Sequence, residues 1–208
     1  GISGVDGSVS APAVTGTDSN TGITFPSADT IKFATGGVER MAITNSGVSG
    51  ITAGITMADS WHISSSFNTG SGESFITSNW SRFSAGQSSA GVIGSAMTES
   101  SGVFTFPTTG IYLITTSFSG NNAGNYFGIK TRGSTDNFSS SDFDLALSYN
   151  STSNSSEYFE VTAQSIFDVT NVSTHKVKFR YEAQTVTSVN GTAASMRSGV
   201  TFIRIGDT

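Results

Sequence analysis

Beyond residue 100 the chain alternates between apolar and polar side chains with a period of two. HKVKFRYE (175–182) sets Val177, Phe179 and Tyr181 on one side of an extended backbone and Lys176, Lys178, Arg180 and Glu182 on the other. That is the pattern of a strand with one dry face and one wet face. YLITTSF (112–118), NYFGIKTR (125–132), DLALSY (144–149), EYFEVTA (157–163) and VTFIRI (200–205) predict further strands. GNNAGN (120–125) and YNSTSNSS (149–156) read as turns between them, and VNGT (189–192) carries the Asn-Gly pair that favours a tight turn. No segment predicts a helix longer than one turn. About eight antiparallel strands in some 150 residues fit an all-β sandwich or jelly roll.

Residues 1–55 have a different texture. Ile23 and Phe25, Ile31 and Phe33, and Met41 and Ile43 keep the two-residue spacing, but Gly, Ser, Asp and Asn interrupt every few positions. The predicted strands are about four residues long and expose too much surface to stand alone. The regular pairs favour packing against other chains over a flexible linker. The expected division is therefore a short-stranded β-rich segment, 1–55, followed by a globular domain, 56–208.

Composition agrees with an all-β reading. The 208 residues are 36% hydrophobic and only 12% charged, against roughly 25% charged in ordinary soluble domains. A net charge of −5 and scattered Lys and Arg argue against nucleic acid as a partner. No cysteine is present, which excludes disulfides and thiolate chemistry. No run reaches the roughly 18 apolar residues of a membrane-spanning helix, so membrane insertion is not expected. The opening GISGVDG, without Met, suggests the C-terminal part of a longer protein.

Two resemblances sharpen the picture. Gly102-x-Phe104-x-x-Pro107-x-x-Gly110-x-Tyr112 is similar to the signature of the C1q-like jelly roll, a relative of the tumour-necrosis-factor fold. The resemblance implies that Gly102 starts a strand, Phe104 fills the core, Pro107 and Gly110 set a turn, and Tyr112 faces inward. SGVTFIRIG (198–206) resembles the last strand of that family. Residues 10–51, with DSNTGI, FPSADTIKFATGG, VERM and NSGVSGI, resemble a module of tail-fibre and other virion structural proteins from bacteriophages, especially phages of marine bacteria. Together the resemblances imply a homotrimer with an intertwined β-rich shaft and a jelly-roll tip, exposed outside the cell on a virion and joined through its N-terminal shaft to other virion proteins.

Candidate chemistry is sparse. His62 and His175 lack a short-spaced second ligand or a positioned nucleophile, and both read as structural or solvent-exposed. Asp142 and Asp144 would share a strand face, as carboxylates in calcium sites do, but a solvated strand edge is the favoured reading, so no cofactor is expected. Glu157 and Glu160 fall on opposite faces, which does not suit a paired-carboxylate hydrolase. Trp80, Tyr126, Phe127, Phe138 and Phe143 lie beside Ser-, Asn- and Gly-rich turns. Aromatic faces next to hydroxyl and amide groups suit stacking on sugar rings, and the loops at 119–126, 133–143 and 149–157 are the expected recognition surface. The expected function is non-enzymatic adhesion to a bacterial surface receptor, a glycan before a protein. The alternative is a purely structural trimerisation cap or capsid decoration without a ligand.

Overall fold

The computed structural model describes residues 6–50, 54–82, 91–121, 124, 126–154 and 156–208. The chain divides into two compact units, Gly1–Gly54 and Ile55–Thr208. Among the described residues there is no helix, and every strand pairing is antiparallel.

In the first unit β1 (Val14–Thr15), β2 (Gly22–Thr24), β3 (Ile31–Thr35), β4 (Val38–Thr44) and β5 (Gly47–Ser49) form a meander in that order. These strands find their backbone partners within one chain. Their register aligns Val14, Ile23, Phe33 and Met41 in one row and Ile31, Ile43 and Val48 in a second row of the same parity. Val14, Ile31, Ile43 and Val48 are exposed, whereas Ala34, Ala42 and Thr24 on the opposite face are buried. The sheet therefore buries its small residues and leaves several of its large aliphatic ones exposed, with Ile23, Phe33 and Met41 half-buried in the same face.

The second unit is a two-layer jelly roll. The larger sheet contains β6 (Ala58–Ile63), and runs β6–β14–β9–β12, with β9 (Gly110–Asn121), β12 (Tyr158–Val169) and β14 (Gly199–Gly206). The smaller sheet runs β8–β13–β10–β11, with β8 (Val103–Thr105), β10 (Phe127–Ser134), β11 (Phe143–Asn150) and β13 (Lys176–Ala183). Strand β7 (Gly72–Phe75) pairs with the other end of the β13 edge that β8 occupies. From β9 onward the chain steps to the smaller sheet for β10 and β11, then alternates between sheets through β14. Inward-facing Tyr112, Ile114, Phe118, Phe167 and Phe202 meet Phe104, Phe127, Ile129, Val177 and Phe179 in one core.

The strands predicted from alternation are present. Gly110–Asn121 and Tyr158–Val169 run five residues longer than predicted, and Phe143–Asn150 and Gly199–Gly206 two longer. Phe127–Ser134 and Lys176–Ala183 keep their length but start one or two positions later. Strand β12 continues six residues past the predicted end, because Ser165 occupies an inward position where an apolar residue was the expected signal. The predicted turn at Asn190–Gly191 is corrected. Both residues lie inside the strand Ser188–Thr192, where a register shift against Ser65–Asn68 absorbs them as a bulge. Residues 56–101 contribute β6, Ser65–Asn68, β7 and short edge strands, with 83–90 outside the described residues.

The signature residues have physical reasons. Gly102 has φ +81°, and a Cβ there would collide with the Ile76 carbonyl oxygen, so only glycine fits. Gly110, at φ +146°, passes against the Arg204 guanidinium. Phe104 and Tyr112 are fully buried, and the Tyr112 hydroxyl donates to the Thr108 carbonyl at 2.9 Å, pinning the turn that Pro107 enters. A further core element had no sequence signal. Buried Asp59 accepts from Trp61 Nε1 (3.1 Å), the Met97 amide (2.7 Å) and Arg82 Nε (2.9 Å), so its charge is paired where water is excluded.

Candidate functional site

The two outward faces of the jelly roll differ in character. On the larger sheet Ile93, Ala58, Ile203, Leu113 and Ile166 stand directly opposite one another across five neighbouring strands. Ile93 and Ile166 are exposed, as is Ile205 nearby. The next row, Ser60, Thr201, Thr115 and Gln164, is uncharged and linked by side-chain hydrogen bonds such as Ser60 to Thr201 at 2.9 Å. This is an apolar band with a hydroxyl border. Such bands mark interaction surfaces rather than solvent-facing ones.

The smaller sheet presents a lattice of charges. The Lys130 ammonium bridges Glu73 and Glu182, the latter at 2.8 Å, and Arg180 reaches Glu73 at 2.6 Å. Tyr126 and Tyr149, packed edge to face at 5.8 Å, both donate to the Glu182 carboxylate. Lys130 first, then Tyr149, pull the Glu182 carboxyl down to about 2. Burial acts against the Lys130 charge, but its two glutamates outweigh that and hold its pKa above the ordinary lysine value.

Arg132 donates to Asp142 through Nε at 3.0 Å, pairs with it through Nη2 at 2.8 Å, and also bonds Asp144. The two aspartates considered as calcium ligands are thus already charge-paired. Among the described residues no three His, Asp or Glu side chains converge on a possible ion position.

Beyond Arg132 the loop after β10 closes over one edge of this sheet. Ser140 and Ser134 hydroxyls and the amides of Ser139, Ser140 and Ser141 donate to the Asp136 carboxylate, which they hold far below the usual carboxylate range. The loop places Phe138, at φ +56°, with its ring beneath the Lys178 ammonium at 4.2 Å. From the other side Phe75 of β7 approaches the same ammonium at 5.2 Å. A cleft of about 250 Å³ opens here, lined by these three side chains, Ser139–Ser141 and Asp142. A second cleft of about 170 Å³ is walled by Phe67 of the larger sheet, core-facing Tyr181 and Phe75.

The five aromatic candidates separate. Trp80 and Phe127 are corrected to core residues. Trp80 meets Phe104, Phe118 and Phe179 and donates Nε1 to the Ile76 carbonyl at 2.9 Å, while Phe127 packs on Phe159. Tyr126 borders the charge lattice. Phe143 is partly exposed but turned toward Phe167, which stacks on His175. Phe138 lines the larger of the two clefts described above. His62 is buried on β6, and burial lowers its pKa; His175 lies within hydrogen-bond reach of Thr170 and Thr174. The loops at 119–126 and 149–157 fall partly outside the described residues.

Phe75 and Lys178 were absent from the sequence-based candidates. The alternation of 175–182 correctly set Lys178 on the wet face, but only the β7–β13 register, with Phe75 opposite Arg180, brings the ring to it.

No protein-family model and no curated protein sequence matches the chain. Its shape is similar to solved tumour-necrosis-factor structures. With Eiger TNF of S. frugiperda the TM-score is 0.58 at 11% identity, covering 74% of this chain and 96% of that one. With murine APRIL at pH 5.0 the TM-score is 0.53 at 9% identity, covering 72% and 98%. The likeness establishes a tumour-necrosis-factor and C1q-like jelly roll, and at such identity it establishes the fold alone.

Proposed function

We propose that the chain is a non-enzymatic, homotrimeric adhesion module, the C-terminal part of a phage fibre whose jelly-roll tip binds a glycan on a bacterial surface. The observation that carries the trimer is the band Ile93–Ala58–Ile203–Leu113–Ile166, an apolar row spanning the outward face of the larger sheet. Copies of the same chain cover it, as closed three-fold symmetry allows. The first unit gives the same signal, with Val14, Ile31, Ile43 and Val48 exposed on one sheet face. Covering both faces in one assembly makes a registered shaft and tip. The fibre setting rests on the resemblance of residues 10–51 to virion modules, and the position on a virion follows from it.

Three copies place three recognition faces on one body, so individually weak contacts are multiplied by avidity. The smaller sheet, with its Lys178 cleft and paired charges, is the face left for the receptor. Light scattering of the purified protein tests the assembly, and a threefold chain mass is expected. Binding of the same protein to intact host bacteria, with competition against virus adsorption, tests adhesion. A monomer would overturn the trimer. A trimer that neither binds cells nor competes would leave only a structural cap.

A further inference from the structure

Five cations lie on the wet side of the smaller sheet, and four are already satisfied. Lys130 and Arg180 pair with Glu73, Arg132 with Asp142 and Asp144. Lys176 is buried and donates to Thr105 Oγ1 at 2.9 Å and to the Val172 carbonyl at 2.7 Å. Among the described residues Lys178, unlike these four, makes neither an ion pair nor a side-chain hydrogen bond. Its ammonium rests between the rings of Phe75 and Phe138.

A cation between two rings loses water on both sides, and its remaining donors point where the rings leave space. That space is the 250 Å³ cleft. Its rim carries the hydroxyls of Ser139 and Ser141, while its one carboxylate, Asp142, is neutralised by Arg132. Phe138 is held at φ +56°, a costly conformation for a bulky residue. The Asp136-centred hydrogen bonds that anchor its loop fix the ring over the ammonium.

We infer that this cleft binds the carboxylated sugar of an acidic glycan. The carboxylate takes the Lys178 ammonium, the sugar hydroxyls meet Ser139 and Ser141, and the apolar side of the ring lies against Phe138. Shallow clefts of this size give weak single-site binding, and three copies raise it. The inference rests on the glycan-adhesion reading and adds the chemical class of the sugar.

The test uses the full chain and a panel of hexuronate–hexose and nonulosonate–hexose oligosaccharides, each paired with its carboxyl-reduced counterpart and titrated calorimetrically at low salt. At least one acidic member is expected to bind about tenfold more tightly than its reduced partner, the worth of one charge-assisted hydrogen bond. Lys178→Gln, with unchanged thermal stability, abolishes that preference and leaves the reduced sugar's affinity alone. Phe138→Ala weakens both members of the pair. Equal binding of acidic and reduced sugars, a preference that survives Lys178→Gln, or no binding across the panel overturns the inference. Cell binding measured in parallel separates the two levels. Adhesion without an acid preference keeps the glycan reading and removes this one, whereas absence of adhesion removes both.

Discussion

Phe104→Ala tests whether the Gly-x-Phe-x-x-Pro-x-x-Gly-x-Tyr stretch is a packing device. Phe104 is 0% exposed, and its ring lies 5.5 Å from Trp61, 5.1 Å from Trp80, 5.3 Å from Phe179 and 5.4 Å from Phe202. It sits at the meeting of both sheets, since Trp61 and Phe202 belong to the larger and Phe179 to the smaller. Truncating a buried phenylalanine costs roughly 3–5 kcal/mol, and lost edge-to-face contacts push the value toward the upper end. The surrounding rings are fixed by two sheets and cannot collapse into the space. About 4–5 kcal/mol is expected, a fall in melting temperature of roughly 10–16 °C for a unit of this size. Scanning calorimetry and urea unfolding at one fixed protein concentration measure it, with an unchanged m-value showing that only stability moved. Phe143→Ala is the comparison, because that ring is 39% exposed and touches Phe167 at 6.1 Å. It should cost less than about 1 kcal/mol, as exposed substitutions do. A Phe104 variant within 1 kcal/mol of the parent, or one less harmful than Phe143→Ala, refutes the account of the core.

Leu113→Asp places a carboxylate in the centre of the apolar row and is expected to reduce the light-scattering mass to that of one chain while leaving the β-type circular dichroism intact; an unchanged mass removes this row from the interface. Gly102→Ala should destabilise by at least about 1–2 kcal/mol from the left-handed backbone alone, with the Ile76 collision adding to it, whereas Gly16→Ala, which has no heavy atom within 4 Å of its new Cβ, should be neutral or slightly stabilising. Acid sensitivity follows from Glu182. Its carboxyl is depressed from 4.5 to about 2 in the folded chain, so its stabilisation is complete above about pH 5 and disappears as pH falls through the folded value. Because the group is partly solvated, about 1 kcal/mol is at stake, and Glu182→Gln should flatten that part of a melting-temperature profile between pH 5 and 2. A profile equally steep in the variant rules out Glu182 as its source.

The alternation of β9 through β14 was legible because side-chain direction in a strand repeats every two residues whatever the strand pairs with. The roles of Gly102 and Gly110 came from the C1q-like resemblance rather than from local pattern, and their positive φ is the physical reason glycine stands there. Local pattern misled where tertiary pairing intervened. Asn190–Gly191 became a bulge because Ser65–Asn68 arrives beside it, and Ser165 hides an inward strand position.

The recognition surface divides on the same line. Trp80 and Phe127 sit beside polar turns in sequence, yet the sheet sandwich turns both rings inward, since proximity along the chain does not fix which side of a layer a residue faces. Lys178 was visible as a wet-face residue, but nothing within eight residues of it says that it makes no ion pair or stands between two rings. That depends on Phe75, about a hundred positions away and delivered by the β7–β13 register, and on Phe138, delivered by the loop built around Asp136. The chain's own residues thus determined an all-β jelly roll, its signature turn and the short-stranded N-terminal segment, because these depend on neighbours one to four residues apart. Only the tertiary structure decided which aromatics line a cleft, which charges are satisfied and which apolar row faces outward, because those depend on pairings between strands distant in sequence.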